Sequence, residues 1–123
     1  MPAGELIGMI RQGVDARLAL VVTKHYQIPQ GNLARLLGTS EATLIRKIKA
    51  KARLGPSESE RLARIAMIEA EAEQAFGDAE AARQWMTSEN TAFGEPPLSL
   101  LDTDTGAQEV RKVLNAIAYG GAA

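Results

Sequence analysis

Few residues in this sequence are of the types that usually carry out catalysis or bind metals. Cysteine is absent and His25 is the only histidine, so disulfides, thiolate metal sites and most histidine-based catalytic triads are excluded. Asp102 and Asp104 lie two residues apart, and paired carboxylates can act as acids and bases. Because Thr103 and Thr105 alternate with them at the start of a helical pattern, we interpret the segment as helix capping.

The second chemically distinctive group is a run of cations. It consists of Arg46, Lys47, Lys49, Lys51 and Arg53. Residues 1–55 carry a formal charge of +6 and residues 56–123 a charge of −7, within a net charge of −1. Cations can neutralise the phosphates of nucleic acid, whereas the acidic half would be repelled by them. The charge division predicts two domains with different partners, residues 1–55 and residues 56–123.

The pattern of apolar residues predicts an all-α fold. Apolar residues make up 46% of the chain and aromatic residues only 4%, so the core is expected to be aliphatic. Apolar positions recur at spacings of three and four, and no segment has the alternation of a strand. No apolar run approaches the roughly 18 residues that span a membrane, and the first residues lack a signal-peptide pattern. These features predict a soluble cytoplasmic protein.

Glycine and proline divide the helical pattern into segments, and small polar residues after them are candidate caps. Ser57 or Ser59 is expected to cap the helix after residue 56, with Glu60 completing a capping box with Ser57. Arg61 and Arg64 lie among acidic residues of the same segment. Their spacing predicts ion pairs within that helix.

Residues 30–51 have the pattern of two short helices joined by a tight turn. Gly38 is expected to end the first helix in a left-handed conformation, and Thr39 or Ser40 to cap the second. This pattern predicts a helix-turn-helix, which places its second helix in the major groove of DNA. The predicted DNA-binding residues are Ser40, Glu41, Thr43, Arg46, Lys47 and Lys49. The expected buried residues of this helix are Leu44, Ile45 and Ile48. The alternative is that residues 46–53 form a solvated basic face on an ordinary helix.

A series of short motifs occurs in order along residues 59–120. They are Ser59-Glu60-Arg61-Leu62-Ala63-Arg64, Phe76-Gly77-Asp78, Ala82-Arg83-Gln84-Trp85-Met86, Asn90-Thr91-Ala92-Phe93-Gly94, Pro97-Leu98-Ser99-Leu100-Leu101-Asp102-Thr103, Gly106-Ala107-Gln108-Glu109-Val110 and Tyr119-Gly120. In this series the chain resembles the Xre/MbcA/ParS family of antitoxins, which are partners of RES-domain toxins. It departs from the family pattern at Met86, usually Leu, at Glu89, usually Pro, and at Glu95, commonly Gly.

This resemblance implies an Xre-like helix-turn-helix domain for DNA binding and dimerisation at residues 1–55, and a small helical toxin-binding domain at residues 56–123. The implied partners are a RES-domain toxin that degrades NAD+, the operator DNA of the protein's own operon, and a second copy of the chain. Larger toxin–antitoxin complexes are also implied, with the tail of the chain obstructing the toxin active site. The implied toxin-binding residues are Trp85, Phe93, Leu98, Leu101, Arg111, Tyr119, Gly120 and Gly121.

Two other classes of function compete with this one. The first is a helix-turn-helix transcriptional regulator without a toxin partner, in which the acidic half is a dimerisation or effector domain. The second is an enzyme, which is not predicted because no nucleophile–base pair, metal cluster or glycine-rich phosphate loop is present in the sequence. No cofactor, metal ion or membrane is therefore predicted as a partner. Trp85 is by default a core residue, with an interface anchor as the alternative.

Overall fold

Residues 2–120, the part of the chain that this computed structural model describes, contain seven α-helices and one 3₁₀ helix joined by short connections. The helices are α1 (Ala3–Gln12), α2 (Leu18–Tyr26), α3 (Gln30–Leu37), α4 (Glu41–Lys49), α5 (Pro56–Phe76), α6 (Ala79–Thr87), the 3₁₀ helix (Pro97–Asp102) and α7 (Asp104–Tyr119). Extended pairing within these residues is limited to isolated bridges, Asp15 with Arg53 and Asn90 with Glu95. The predicted all-α class is confirmed.

The chain divides into two compact units, Met1–Ala63 and Arg64–Ala123. The division falls within α5, so this helix contributes its first turns to one unit and the remainder to the other. The predicted domain boundary, between residues 55 and 56, falls at the start of the same helix. The assignment of separate functions to residues 1–55 and 56–123 stays a prediction.

The predicted helix-turn-helix is formed by α3 and α4 in the first unit. Gly38 follows α3 with a φ of 76°, which confirms the left-handed turn. Ser40 caps α4, because its Oγ accepts a hydrogen bond of 3.1 Å from the Thr43 N–H. Apolar side chains that are fully buried pack this unit, namely Leu33, Leu37 and Leu44. Burial of these aliphatic groups stabilises the pair of short helices, which would not persist alone.

The connection between α1 and α2 is attached to the start of α5. Gly13 has a φ of 88°, and a Cβ added there would lie 2.2 Å from the Leu54 carbonyl oxygen. Only glycine fits this close approach of two backbones. The Leu54 N–H donates to the Val14 carbonyl at 2.8 Å, and the Val14 N–H donates to Ser59 Oγ at 2.9 Å. These bonds satisfy backbone groups that the break between α1 and α2 leaves without helical partners.

The predicted serine cap of α5 is wrong. The Gly55 N–H donates to Glu58 Oε1 at 2.9 Å, so Glu58 reaches back to the residue before the helix. Ser59 is fully buried instead, where its hydroxyl accepts from Val14. The register differs from the prediction because Pro56 occupies the first helical position, for which its fixed φ and missing N–H suit it.

The second unit is built around apolar side chains of α5, α6, the 3₁₀ helix and α7. The largest fully buried ones are Ile65, Ile68, Met86, Leu101 and Val110. Asp78 Oδ2 caps α6 by accepting from the Ala81 N–H at 2.8 Å. Thr103 Oγ1 caps α7 by accepting from the Gly106 N–H at 2.9 Å. The capping function predicted for residues 102–105 is thus carried by Thr103, while Asp102 ends the 3₁₀ helix.

Candidate functional sites

The solvent-facing side of α4 combines apolar and cationic side chains. They surround an open depression of about 670 Å³ and are Ala42, Ile45, Arg46, Lys49 and Ala50. Arg46 and Lys49, both predicted DNA-binding residues, are exposed here. Ile45 was expected to be buried, but it is only half-buried, and Leu44 is the α4 residue that fills the core. The surface thus combines positive charge, which can bind phosphates, with adjacent apolar groups.

The polar residues at the start of α4 are engaged in capping. The Ser40 hydroxyl donates to Thr43 Oγ1 at 2.9 Å and also accepts from the Thr43 backbone N–H. The Glu41 carboxylate lies close to α3, since a Cβ added to Gly31 would be 2.8 Å from Glu41 Oε2. Ser40 and Thr43 therefore hold the turn together, whereas Glu41 is exposed. The predicted contacts of all three with DNA stay predictions.

Lys47 differs from the other cations of α4 because it forms a partly buried ion pair. Its Nζ lies 3.0 Å from Glu58 Oε1, and the two side chains are 23% and 14% exposed. Burial of the carboxyl opposes ionisation, but the Gly55 N–H and the Lys47 ammonium outweigh it and lower the pKa of Glu58. The pair joins α4 to the first turn of α5. Lys47 thus has a structural partner, and its predicted phosphate contact stays a prediction.

We expect Glu58→Gln to reduce the dependence of protein stability on acid pH. Since the folded-state pKa of Glu58 lies below its ordinary value of 4.5, the ionised carboxylate contributes stability that is fully present above that value. The contribution is lost as the pH falls through the lower folded-state pKa. Between about pH 7 and about pH 3, the free energy of unfolding in urea should therefore fall less in the variant than in the wild type.

The matched control for this experiment is Glu60→Gln, which changes an exposed carboxylate on the same helix. It should retain the wild-type loss of stability in acid. A Glu58→Gln protein with the same acid sensitivity as the wild type would show that the Lys47–Glu58 pair does not control this behaviour.

Arg61 fixes the helix-turn-helix turn, a function that the sequence did not indicate. Its Nη1 donates to the Leu37 carbonyl oxygen at 3.0 Å, at the end of α3. A Cβ added to Gly38 would lie 1.8 Å from the same nitrogen. The predicted ion pairing of Arg61 within α5 is replaced by this contact, because a helix C-terminus attracts a cation and has free carbonyl groups.

Arg64 makes an equivalent contact in the second unit. Its Nη1 donates to the Leu101 carbonyl oxygen at 3.2 Å, near the end of the 3₁₀ helix. Leu98 and Leu101, both predicted toxin-binding residues, are 5% and 0% exposed. Their side chains anchor the 3₁₀ helix in the core. They would therefore affect toxin binding by positioning this helix rather than by contacting the toxin.

The aromatic residues predicted to bind the toxin are partly accessible. Trp85 is half-buried, and its ring centroid lies 5.7 Å from that of Phe76 in a tilted arrangement. Phe93 is also half-buried, in the turn where the Asn90 carbonyl accepts from the Phe93 and Gly94 N–H groups. Trp85 therefore contributes to packing while part of its surface remains open to a partner.

A groove lies between α5 and α7 within the second unit. It has a volume of about 400 Å³ and is lined by Glu71, Gln74, Ala75, Arg111, Leu114, Asn115, Ala118 and Tyr119. Arg111 Nε lies 3.0 Å from Glu71 Oε2 across it. Tyr119 is 72% exposed at the end of α7, and Gly120 is exposed as well. Gly121, the last predicted toxin-binding residue, lies outside the described residues.

No helix within residues 2–120 is both long enough and apolar enough to cross a bilayer. Residues 5–67 match the antitoxin Xre-like helix-turn-helix domain, and residues 71–120 match the antitoxin Xre/MbcA/ParS C-terminal toxin-binding domain. The two matches follow the order expected from the sequence motifs.

Curated relatives agree with these matches. The chain is 31% identical to antitoxin Xre of Yersinia enterocolitica over 117 residues, which cover 94% of this chain and 79% of the relative. It is 26% identical to antitoxin Xre of Photorhabdus laumondii over the same coverage. It is 38% identical to antitoxin Xre of Pseudomonas putida over 79 residues, 63% of this chain and 50% of the relative. The chain belongs to the Xre family of antitoxins, with an Xre-like helix-turn-helix domain followed by a C-terminal toxin-binding domain.

Proposed function

We propose that this antitoxin binds and neutralises a RES-domain toxin that degrades NAD+, and that its C-terminal end obstructs the toxin active site. It acts by binding rather than by catalysis, in the cytoplasm. The observation that carries the proposal is the end of α7, where the 72% exposed Tyr119 borders the groove that also contains Arg111. Tyrosine and arginine side chains are among those that dominate the energetics of protein interfaces.

Charge supports the same proposal. A cleft that accepts NAD+ must hold a pyrophosphate, which calls for cations or helix N-termini. Residues 56–123 carry a formal charge of −7, and such complementary charge accelerates the encounter of two proteins. The acidic half of this chain is therefore suited to approach a basic cleft.

We also propose that the first unit binds operator DNA and represses the antitoxin's own operon. Arg46 and Lys49 supply exposed cations on α4, as phosphate binding requires. A homodimer is part of this proposal, since helix-turn-helix proteins read paired half-sites as dimers. Exposed apolar side chains on α1 and α2 support a further contact with another copy, and they are Ile7, Met9, Leu18, Leu20 and Val21.

The test of neutralisation is co-expression with a RES-domain toxin encoded beside the antitoxin gene. We expect the full chain to form a stable complex with the toxin and to preserve cellular NAD+. Deletion of residues 119–123 should leave the complex intact while NAD+ falls, because the obstructing end has been removed from an otherwise folded interface. Affinity co-purification and an NAD+ assay in the same cells measure the two effects separately.

Gln108→Ala is the matched control, because it changes an exposed residue at the opposite end of α7. It should neutralise the toxin as the wild type does. Full neutralisation by the truncated chain would refute obstruction by the tail but leave toxin binding intact. Failure of the full chain to co-purify or to preserve NAD+ would refute the toxin proposal. Retained DNA binding would then favour a helix-turn-helix regulator without a toxin partner.

A further inference from the structure

The apolar residues on the exposed side of α4 have no function in the packing described above. We propose that Ala42 and Ile45 contact thymine methyl groups in the major groove, so that the operator carries A·T pairs at the positions they face. This inference rests on the proposed DNA-binding function and deepens it by naming the bases that are read. Neither residue was predicted to bind DNA from the sequence.

The helical spacing places these groups on one surface. Ile45 and Arg46 follow Ala42 by three and four residues, and Lys49 follows them by four and three, so these side chains lie along one face of α4. All four line the same open depression, in which Ala42 is exposed and Ile45 half-buried. Two apolar side chains therefore lie beside two cations that would bind phosphates and hold the helix in the groove.

Several polar side chains at the start of this helix make contacts within the protein. Ser40 and Thr43 bond to each other in the cap, and Glu41 lies against α3. Lys47 is paired with Glu58. The solvent-facing side of α4 thus presents the apolar surface of Ala42 and Ile45 beside the cations Arg46 and Lys49. In the major groove only thymine offers a C5-methyl group, which apolar side chains contact.

The test removes the thymine methyl without altering the protein. Duplexes that bind the full chain are selected from a random pool, and each thymine is replaced in turn by deoxyuridine. We expect about fourfold weaker binding at one or two positions, the effect of one buried methyl group. In the Ile45→Ala protein, replacing thymine by deoxyuridine at the base pair that Ile45 faces should no longer weaken binding. Circular dichroism establishes that the variant is folded.

Lys49→Ala is the matched control on the same face of α4. It should weaken binding to thymine and deoxyuridine duplexes equally, and it should lower the salt slope by about one unit. Equal affinity of the wild type for both duplexes at every position would overturn the inference while leaving DNA binding established. Absence of any salt-dependent binding to a duplex would overturn the DNA-binding proposal as well.

Discussion

Replacing Gly38 with alanine is expected to lower the free energy of unfolding by about 3 kcal/mol, through backbone strain and a displaced hydrogen bond together. The φ of 76° strains any residue that carries a Cβ. The new atom would also lie 1.8 Å from Arg61 Nη1, which must then leave the Leu37 carbonyl oxygen. Because this contact sets the turn before α4, DNA binding should weaken too. Urea unfolding measures the first effect, and binding to the operator DNA of the antitoxin's own operon measures the second.

Gly77→Ala separates the strain from the clash. Gly77 has a similar φ of 69°, but an added Cβ there would have no neighbour within 4 Å. We expect a loss of about 1 kcal/mol, from the left-handed backbone alone. Introducing Gly38→Ala into an Arg61→Ala protein should likewise cost less than in the wild type. Equal losses for Gly38→Ala and Gly77→Ala would contradict a contribution of the Arg61–Leu37 hydrogen bond to stability.

Leu101→Ala is expected to destabilise the protein by about 2–5 kcal/mol, the range for removing a buried leucine side chain. Leu101 is 0% exposed, and its carbonyl oxygen accepts a hydrogen bond from Arg64. The resulting cavity would lie where the 3₁₀ helix packs against α6 and α7. Since Thr103 caps α7 directly after this helix, neutralisation of the toxin should fail together with the fold.

Leu101→Met and Leu100→Ala are the comparisons for this variant. Methionine conserves most of the volume and should cost less than about 1.5 kcal/mol. Leu100 is only half-buried, so its truncation leaves a smaller cavity than that of Leu101. We expect both proteins to bind the toxin. A stable Leu101→Ala protein that no longer binds toxin would instead indicate direct contact by this side chain.

Local features of the structure were predictable from short stretches of sequence. The turn at Gly38 needs a residue that tolerates a positive φ, and the caps at Ser40 and Thr103 need a side-chain oxygen beside free N–H groups. These requirements involve neighbours three or four residues away. The helical class follows in the same way from apolar spacing. The serine cap predicted for α5 is wrong because Pro56 takes the first helical position and the Glu58 carboxylate accepts from the Gly55 N–H instead.

The candidate sites were less predictable, because their residues depend on partners far along the chain. Nothing near Lys47 in the sequence indicates that Glu58 will neutralise it, and Arg61 finds its acceptor at Leu37. The exposure of Ile45 and the burial of Leu101 likewise depend on which faces neighbouring helices cover.

The sequence by itself determined the helices, the turns, the charge division and the family of this antitoxin, since each is set by residue type at short spacing. Only the tertiary structure decided which cations and apolar groups remain available to partners. Availability is settled by packing and hydrogen bonding between distant segments, and these cannot be inferred from local spacing.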